Sequence, residues 1–412
     1  MDVLAGVRVV EMGLWVAGPA AGGILADWGA EVLKIEPPSG DPMRGLFGAL
    51  SGSKEQRCPP FDLYNRGKRS VALDINTPEG RDLAERIIAD ADVFLTNMRP
   101  AFLQRVGLDH ERLTEKYPRL VYASLTGYGL EGPDRDAPGF DVAAFSARGG
   151  VADRSTPPGQ APTTLPGGLG DAVTGLSLVA GVLAALLHRE RTGRGQLVAT
   201  SLLRSGAYCI GMELSTRLGL GRLAPTRHRT HPQNPLLNSY VAQDGRWFWL
   251  IGAEADRHWP ALIAATGEER LADERFATAR GRRRAGEDLM VLLDEAFAQR
   301  SRDEWAQRFE EHGVWWTPVN TVEDLLSDPQ AAAAGLFVDV PTNRDGDDVT
   351  DRSLAAPADF GSQTNTAFGP PPTVGADTEE VLRALGLDPQ ELARLLKDGI
   401  VSGPGSSGPN AA

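Results

Sequence analysis

The chain has 412 residues, 42% of them hydrophobic, which is enough for two or three domains or for one large domain plus a smaller one. Its net charge of −13 argues against nucleic acid or an anionic membrane as the main partner, so an anionic ligand needs a local basic pocket. The two cysteines, Cys58 and Cys209, and the six histidines show no disulfide framework and no metal-binding spacing, which suggests no metal site and fits a cytoplasmic protein.

The chain opens on MDVLAGVRVVEMG, which lacks the basic stretch and long apolar run of a signal peptide. Val7 to Glu11 reads as a strand, Gly18 to Trp28 as a helix with Pro19 in its first turn, and Glu31 to Glu36 as the next strand. Strand, helix, strand is the mark of a parallel α/β sheet, in which ligands bind where loops leave the C-terminal strand ends. The loop from Met12 to Gly18 is such a place. Residues 37–62 read as loop. Arg66, Lys68 and Arg69 then crowd the start of a strand at Val71, as a phosphate grip or as a solvated basic turn. Thr77 and Pro78 open a helix to Ala91. Val93 to Thr96 is a strand, and Asn97, Arg99 and Arg105 cluster beyond its end. Leu120 to Thr126 is another strand. Gly127 to Gly132 matches GxGxxG, but a loop follows instead of the helix a dinucleotide fingerprint must open.

Residues 166–202 organise the rest. Pro166-Gly167-Gly168-Leu169-Gly170 forms a glycine-rich turn, Asp171 follows, and an apolar run from Thr174 to His188 reads as a helix. Its apolar core, about Leu176 to Leu187, falls short of the ~20 residues that span a bilayer. Asp171 thus stands at or just before a helix N-terminus. It is either an ordinary cap, or a carboxylate held ionised by the helix dipole and free to act as a nucleophile beside backbone N–H groups. A strand from Gln196 to Leu202 and a helix from Arg204 to Leu218 follow. Residues 219–238 read as a linker. Ser239 to Gly252 is a hairpin about Asp244-Gly245, with Trp247 and Trp249 as possible core, and helices complete a small α+β module to about residue 325. Residues 326–401 return to the first domain, with a strand pair near 337–351 and a helical pair from Thr378 to Lys397. Residues 402–412 read as a disordered tail.

With these residues in view, the chain resembles the family III CoA-transferases (the CaiB/BaiF group). The matching pieces run in order: GVRVVEMG with AGP, GAEVLKIEPPSGD, NRGKRSVALD, ADVFLTNMRP with LQRVGLD, LTGYGLEGP, PGFD, GLGDAVTG, LLHRERTGRGQ, the QDGRW hairpin and PVNTVEDLLSDPQ. They cover roughly residues 4–401. The resemblance implies a large Rossmann-like domain, residues 1–218 plus the C-terminal return, with a smaller inserted α+β domain and an interlocked homodimer. It implies coenzyme A or acyl-CoA as substrate, with no permanently bound cofactor. It makes Asp171 the nucleophile that moves CoA from an acyl-CoA to a free carboxylic acid through an aspartyl anhydride and an aspartyl-CoA thioester. It places CoA contacts at Val16, Ala17, Asn97 and Arg105, with weaker carry-overs at Arg44, Lys68 and Arg69.

Two rivals remain open at this level. An α-methylacyl-CoA racemase needs two bases, but Phe140 occupies the place of that branch's histidine and Glu254 stands about one place off its glutamate. A CoA-binding protein without chemistry would not need the GLGD segment. Formyl-CoA transferases carry a glutamine where Val16 stands and a glycine lid where this chain reads HPQNPLLN. Trp15, Val16, Phe140 and Phe145 are therefore the expected lining of an apolar acyl pocket.

Overall fold

The computed structural model describes residues 3–46, 58–342, 350–361 and 369–404. Parts of the 37–62 loop and most of the expected tail fall outside them. The chain divides into two compact units.

The first unit comprises residues up to Asp153, Thr163–Arg222 and the chain beyond Leu336. Its strands are β1 (Arg8–Met12), β2 (Glu31–Glu36), β3 (Arg69–Leu73), β4 (Val93–Thr96), β5 (Val121–Thr126) and β6 (Leu197–Ser201). They form a parallel sheet in the order 3-2-1-4-5-6. Successive residues of one strand serve opposite faces. Val9 joins one apolar layer with Val32, Val93 and Leu95, while Val10 joins the other with Ile35, Val71 and Phe94. Burial on both faces is why these strands read as continuous apolar runs.

The apolar run of residues 166–202 forms a longer helix than its apolar core suggests, Leu169–Thr192, with 24 residues. By length and composition it is apolar enough to cross a membrane, which corrects the shorter reading; 44% of its most apolar window is buried within the protein. The buried positions Thr174, Gly175, Leu178, Val179, Val182 and Ala185 recur on one face, as a 3.6-residue period requires. That face crosses the helix Ala17–Asp27 so closely that a Cβ at Gly175 would meet the Ala17 carbonyl oxygen at 3.1 Å. The crossing sets the N-terminus of the long helix beside the turn that follows β1.

The second unit comprises Leu223–Gly335 with Arg154–Pro162. Residues 223–238 belong to it instead of forming a bare linker, because Leu236 is buried in its core and Arg229 pairs with Asp294 at 2.7 Å. Here β7 (Leu237–Val241), β8 (Trp247–Ile251) and β9 (Trp316–Pro318) form an antiparallel sheet. Phe248 and Leu250 turn inward against Phe297, Trp305 and Phe309. Trp247 and Trp249 turn outward, at 40% and 42% exposure, so neither is core.

In the first unit, β10 (Phe337–Pro341) pairs with β11 (Thr350–Leu354). The last strand, β12 (Val401–Ser402), adds antiparallel to β3, pairing Ser402 with Ala72. The expected tail thus begins inside the sheet.

Candidate active site

A cavity of about 590 Å³ opens beyond the C-terminal ends of β1, β4 and β5. Connections run from β1 toward β3 on one side and from β4 toward β6 on the other, so the cavity sits where the strand order reverses, the usual ligand crevice of such sheets. Asp171 lines it from the long helix.

Asp171 is not the cap of that helix. The cap position is Gly168, left-handed at φ 78°, and Asp171 falls within the first turn. Its neighbour Asp141 begins a π-helical segment, Asp141–Arg148, and accepts the Gly170 N–H at 3.2 Å. A Cβ at Gly170 would collide with that carboxylate and with the Phe145 ring, so only glycine lets the segment close over the helix N-terminus. Burial, then the Asp141 charge, push Asp171 up to about 7. This corrects the expectation of a carboxylate held ionised by the helix dipole, because a nearby N–H group serves Asp141 and the site is partly desolvated. Asp141 is raised as well, chiefly by burial, and Tyr64 is raised by burial and by both carboxylates.

The other candidate residues divide. Val16, Ala17, Asn97 and Arg105 all line the cavity. The Asn97 side chain, however, is engaged at both ends by Leu14, accepting its N–H at 3.0 Å and donating to its carbonyl at 2.8 Å. It shapes the wall and keeps one Nδ2–H beyond the Leu14 contacts. Arg105 lies over the Phe102 ring at 5.0 Å on the cavity rim. Trp15 and Phe140 line the cavity, whereas Phe145 is buried in a core with Ala144 and Leu202.

Arg44, Lys68 and Arg69 lie outside that lining. Lys68 is wholly buried and directs its ammonium to Glu11 at 2.6 Å, the Pro19 carbonyl at 2.9 Å and Asn65 at 3.0 Å, which uses all three donors. Arg66 is buried against Asp27 at 2.7 Å. Asn65, Arg66 and Lys68 are therefore parts of an internal ionic brace, whereas Arg69 stays partly exposed. Arg69 pairs with Asp377 at 3.0 Å, and Arg44 with Glu36 at 2.7 Å. Arg99 and Arg135 join Arg105 at the cavity instead. Arg99 stood in the Asn97 cluster; Asp141 ends the PGFD piece of the resemblance without a role given to it, and Arg135 had no signal beyond its loop. Glu254 lines a separate cavity of the second unit and pairs with Arg257 at 2.9 Å. Among the described residues no cluster of three or more His, Cys, Asp or Glu has metal-holding geometry.

Fold and site define an α/β enzyme with an acidic centre at the switch point of a parallel sheet. The chain belongs to CoA-transferase family III, whose model matches residues 4–378. It is 34% identical to the (R)-2-hydroxy-4-methylpentanoate CoA-transferase of Clostridioides difficile, over 95% of this chain and 97% of that one. It is 34% identical to the cinnamoyl-CoA:phenyllactate CoA-transferase of Clostridium sporogenes, over 96% and 97%. A CAIB/BAIF family protein of Brucella suis superposes with a TM-score of 0.81 at 31% identity, over 93% and 99%.

Proposed function

We propose that this enzyme moves CoA between an acyl-CoA and a free carboxylate with Asp171 as nucleophile. The observation that carries the reading is a half-buried carboxylate on the first turn of the long helix, opening into the strand-end crevice. The ionised Asp171 attacks the donor thioester carbonyl, the carbon–sulfur bond breaks, and a mixed anhydride and CoA thiolate result. The thiolate attacks the aspartyl carbonyl, releasing the donor acid and leaving an aspartyl-CoA thioester. The acceptor carboxylate attacks that thioester to give a second anhydride. The thiolate then attacks the acceptor's acyl carbon and frees Asp171. One thioester replaces another, so no resident cofactor is needed. We assign the phosphates to Arg99 and Arg105, which line the cavity beside Arg135 and its partner Asp136, and the thioester arm to the Val16–Ala17 backbone.

Trp15, Val16 and Phe140 give the acyl end an apolar wall. The two curated relatives are named for branched or aromatic acids. A bulky apolar 2-hydroxy acid is the acceptor class we assign. Phe140 moves no proton, which disfavours racemisation. We further read the enzyme as a cytoplasmic, interlocked homodimer. In support, the helix Gly211–Leu220 buries no residue within the chain and leaves Met212 and Leu218 each 84% exposed, an apolar face suited to a second copy. Both cysteines are unpaired.

The test is a panel of acyl-CoAs incubated with the intact protein and trapped with hydroxylamine or borohydride. A modified peptide containing Asp171, absent from Asp171→Ala, supports the reading. Exchange of the α-proton in deuterium oxide with no adduct contradicts it.

A further inference from the structure

The turn that enters the cavity is held in an unfavourable conformation by side chains that take no part in the chemistry above. Trp15 has φ 65°, and among the described residues it is the one non-glycine with positive φ. For a bulky L-residue this region is disfavoured by roughly tenfold, because Cβ crowds the carbonyl oxygen. Such conformations persist where the surroundings over-determine them, and they gather at functional sites.

Three side chains from three segments supply the constraint. Asp41, 2% exposed, accepts the Trp15 N–H at 3.1 Å and the Met43 N–H at 3.0 Å on Oδ1. Its Oδ2 lies 3.0 Å from Lys34 Nζ. Lys34, itself wholly buried, donates to the Gly13 carbonyl at 2.6 Å and to Glu11 at 3.0 Å. The Asn97 amide brackets Leu14 from the other side. Gly13, Leu14 and Trp15 are thus gripped one after another. The chain then bends from β1 into the helix Ala17–Asp27 with Leu14, Trp15, Val16 and Ala17 all on the cavity wall. Val16 reaches the turn before Asp171, where a Cβ at Gly168 would meet its Cγ1 at 3.8 Å.

We propose that Asp41 is a positioning residue for the CoA site, holding Trp15 left-handed so that Trp15 and Val16 form the wall beside the Asp171 turn. The inference rests on the CoA-transfer reading above. Asp41 touches no substrate, since it is buried and both its oxygens serve the protein. The competing role is that Asp41 only balances the charge of Lys34 and has no bearing on the loop.

Glycine adopts the left-handed region without penalty, which separates the two roles. Free CoA is titrated calorimetrically into the full chain for wild type, Asp41→Ala, Asp41→Asn, Trp15→Gly and the double variant. Asp41→Ala weakens CoA binding by about tenfold in the Trp15 background, the penalty of the unsupported left-handed state. Asp41→Asn keeps the accepting oxygen and stays within about threefold, and with Gly at position 15 the loss of Asp41 also changes binding less than about threefold. An equal factor in both backgrounds, or no weakening in either, overturns the proposal. If Asp41→Ala does not fold, the pair Lys34→Met with Asp41→Leu replaces it in both backgrounds, since removing both charges avoids an unpaired ion. A wild type that binds CoA but forms no Asp171 adduct sinks the transfer reading and leaves this comparison standing. A wild type that does not bind CoA overturns both.

Discussion

In the proposed reaction Asp171 is the nucleophile, and its proton decides when it can attack. The carboxylate attacks and the acid does not, so with the group pushed up to about 7, adduct formation climbs most steeply between about pH 6 and 8, is half-maximal near 7 and levels off above. A single-turnover pH profile of adduct formation checks this. The same shift acts on stability. An unfolded aspartate titrates near ~3.9, so between that value and about 7 the folded chain keeps a proton that the unfolded chain has released. Stability therefore falls as pH rises through this window and is constant above it. Asp171→Asn abolishes adduct formation and, at pH 8, is the more stable protein by about 1–4 kcal/mol, measured by urea unfolding. Asp141→Asn removes the second cause of the shift, so the acid limb of the rate profile moves to lower pH. A limb that stays in place contradicts the Asp141 assignment. Asp171 was legible as either a cap or a nucleophile from the glycine turn and the apolar run after it, and only the resemblance to the family singled out the second. Its raised pKa was not, because Asp141 stands 30 residues away and only the folded chain brings the two together.

At the scale of elements, the turn after β1 depends on charges inside the sheet. Glu11 and Lys34 sit within apolar strands, where a sequence pattern suggests solvent-facing positions, yet both are wholly buried. Burial works against the ionised Glu11, but the Lys68 and Lys34 ammonium groups overcome it and hold the carboxyl below its ordinary range. Removing one partner leaves a buried charge unpaired. Lys68→Met is therefore expected to destabilise the fold by about 3–5 kcal/mol in urea unfolding, although Lys68 is absent from the cavity lining. A loss below about 1 kcal/mol, the value of an exposed pair, contradicts the brace. The cations of NRGKRS were plain in the sequence. Their partners were not, since Lys68 meets Glu11 across 57 residues. The helix start at Thr77–Pro78 was readable because a cap is local, whereas the cap at Ser301 is seen only in the structure. The Thr77 hydroxyl accepts the Gly80 N–H, and Ser301 closes a capping box with Glu304.

At the scale of the whole molecule, the parallel sheet was readable because strands buried on both faces are apolar throughout, and the strand-end crevice follows from that topology. The two-residue strand Val401–Ser402 was hidden, being too short for any pattern and dependent on β3 for its pairing. The proposed homodimer makes its own forecast. Sedimentation gives twice the chain mass of 44.0 kDa, and Met212→Asp with Leu218→Asp shifts the species toward one chain mass. A wild type that sediments as a single chain contradicts it.

The central claim is that Asp171 becomes covalently bonded during turnover. The most direct measurement is intact and peptide mass spectrometry after brief incubation with a branched or aromatic 2-hydroxyacyl-CoA, quenched with hydroxylamine. A hydroxamate is expected on the peptide containing Asp171, with no modification in Asp171→Ala. An unmodified Asp171 peptide during demonstrable CoA transfer would contradict it.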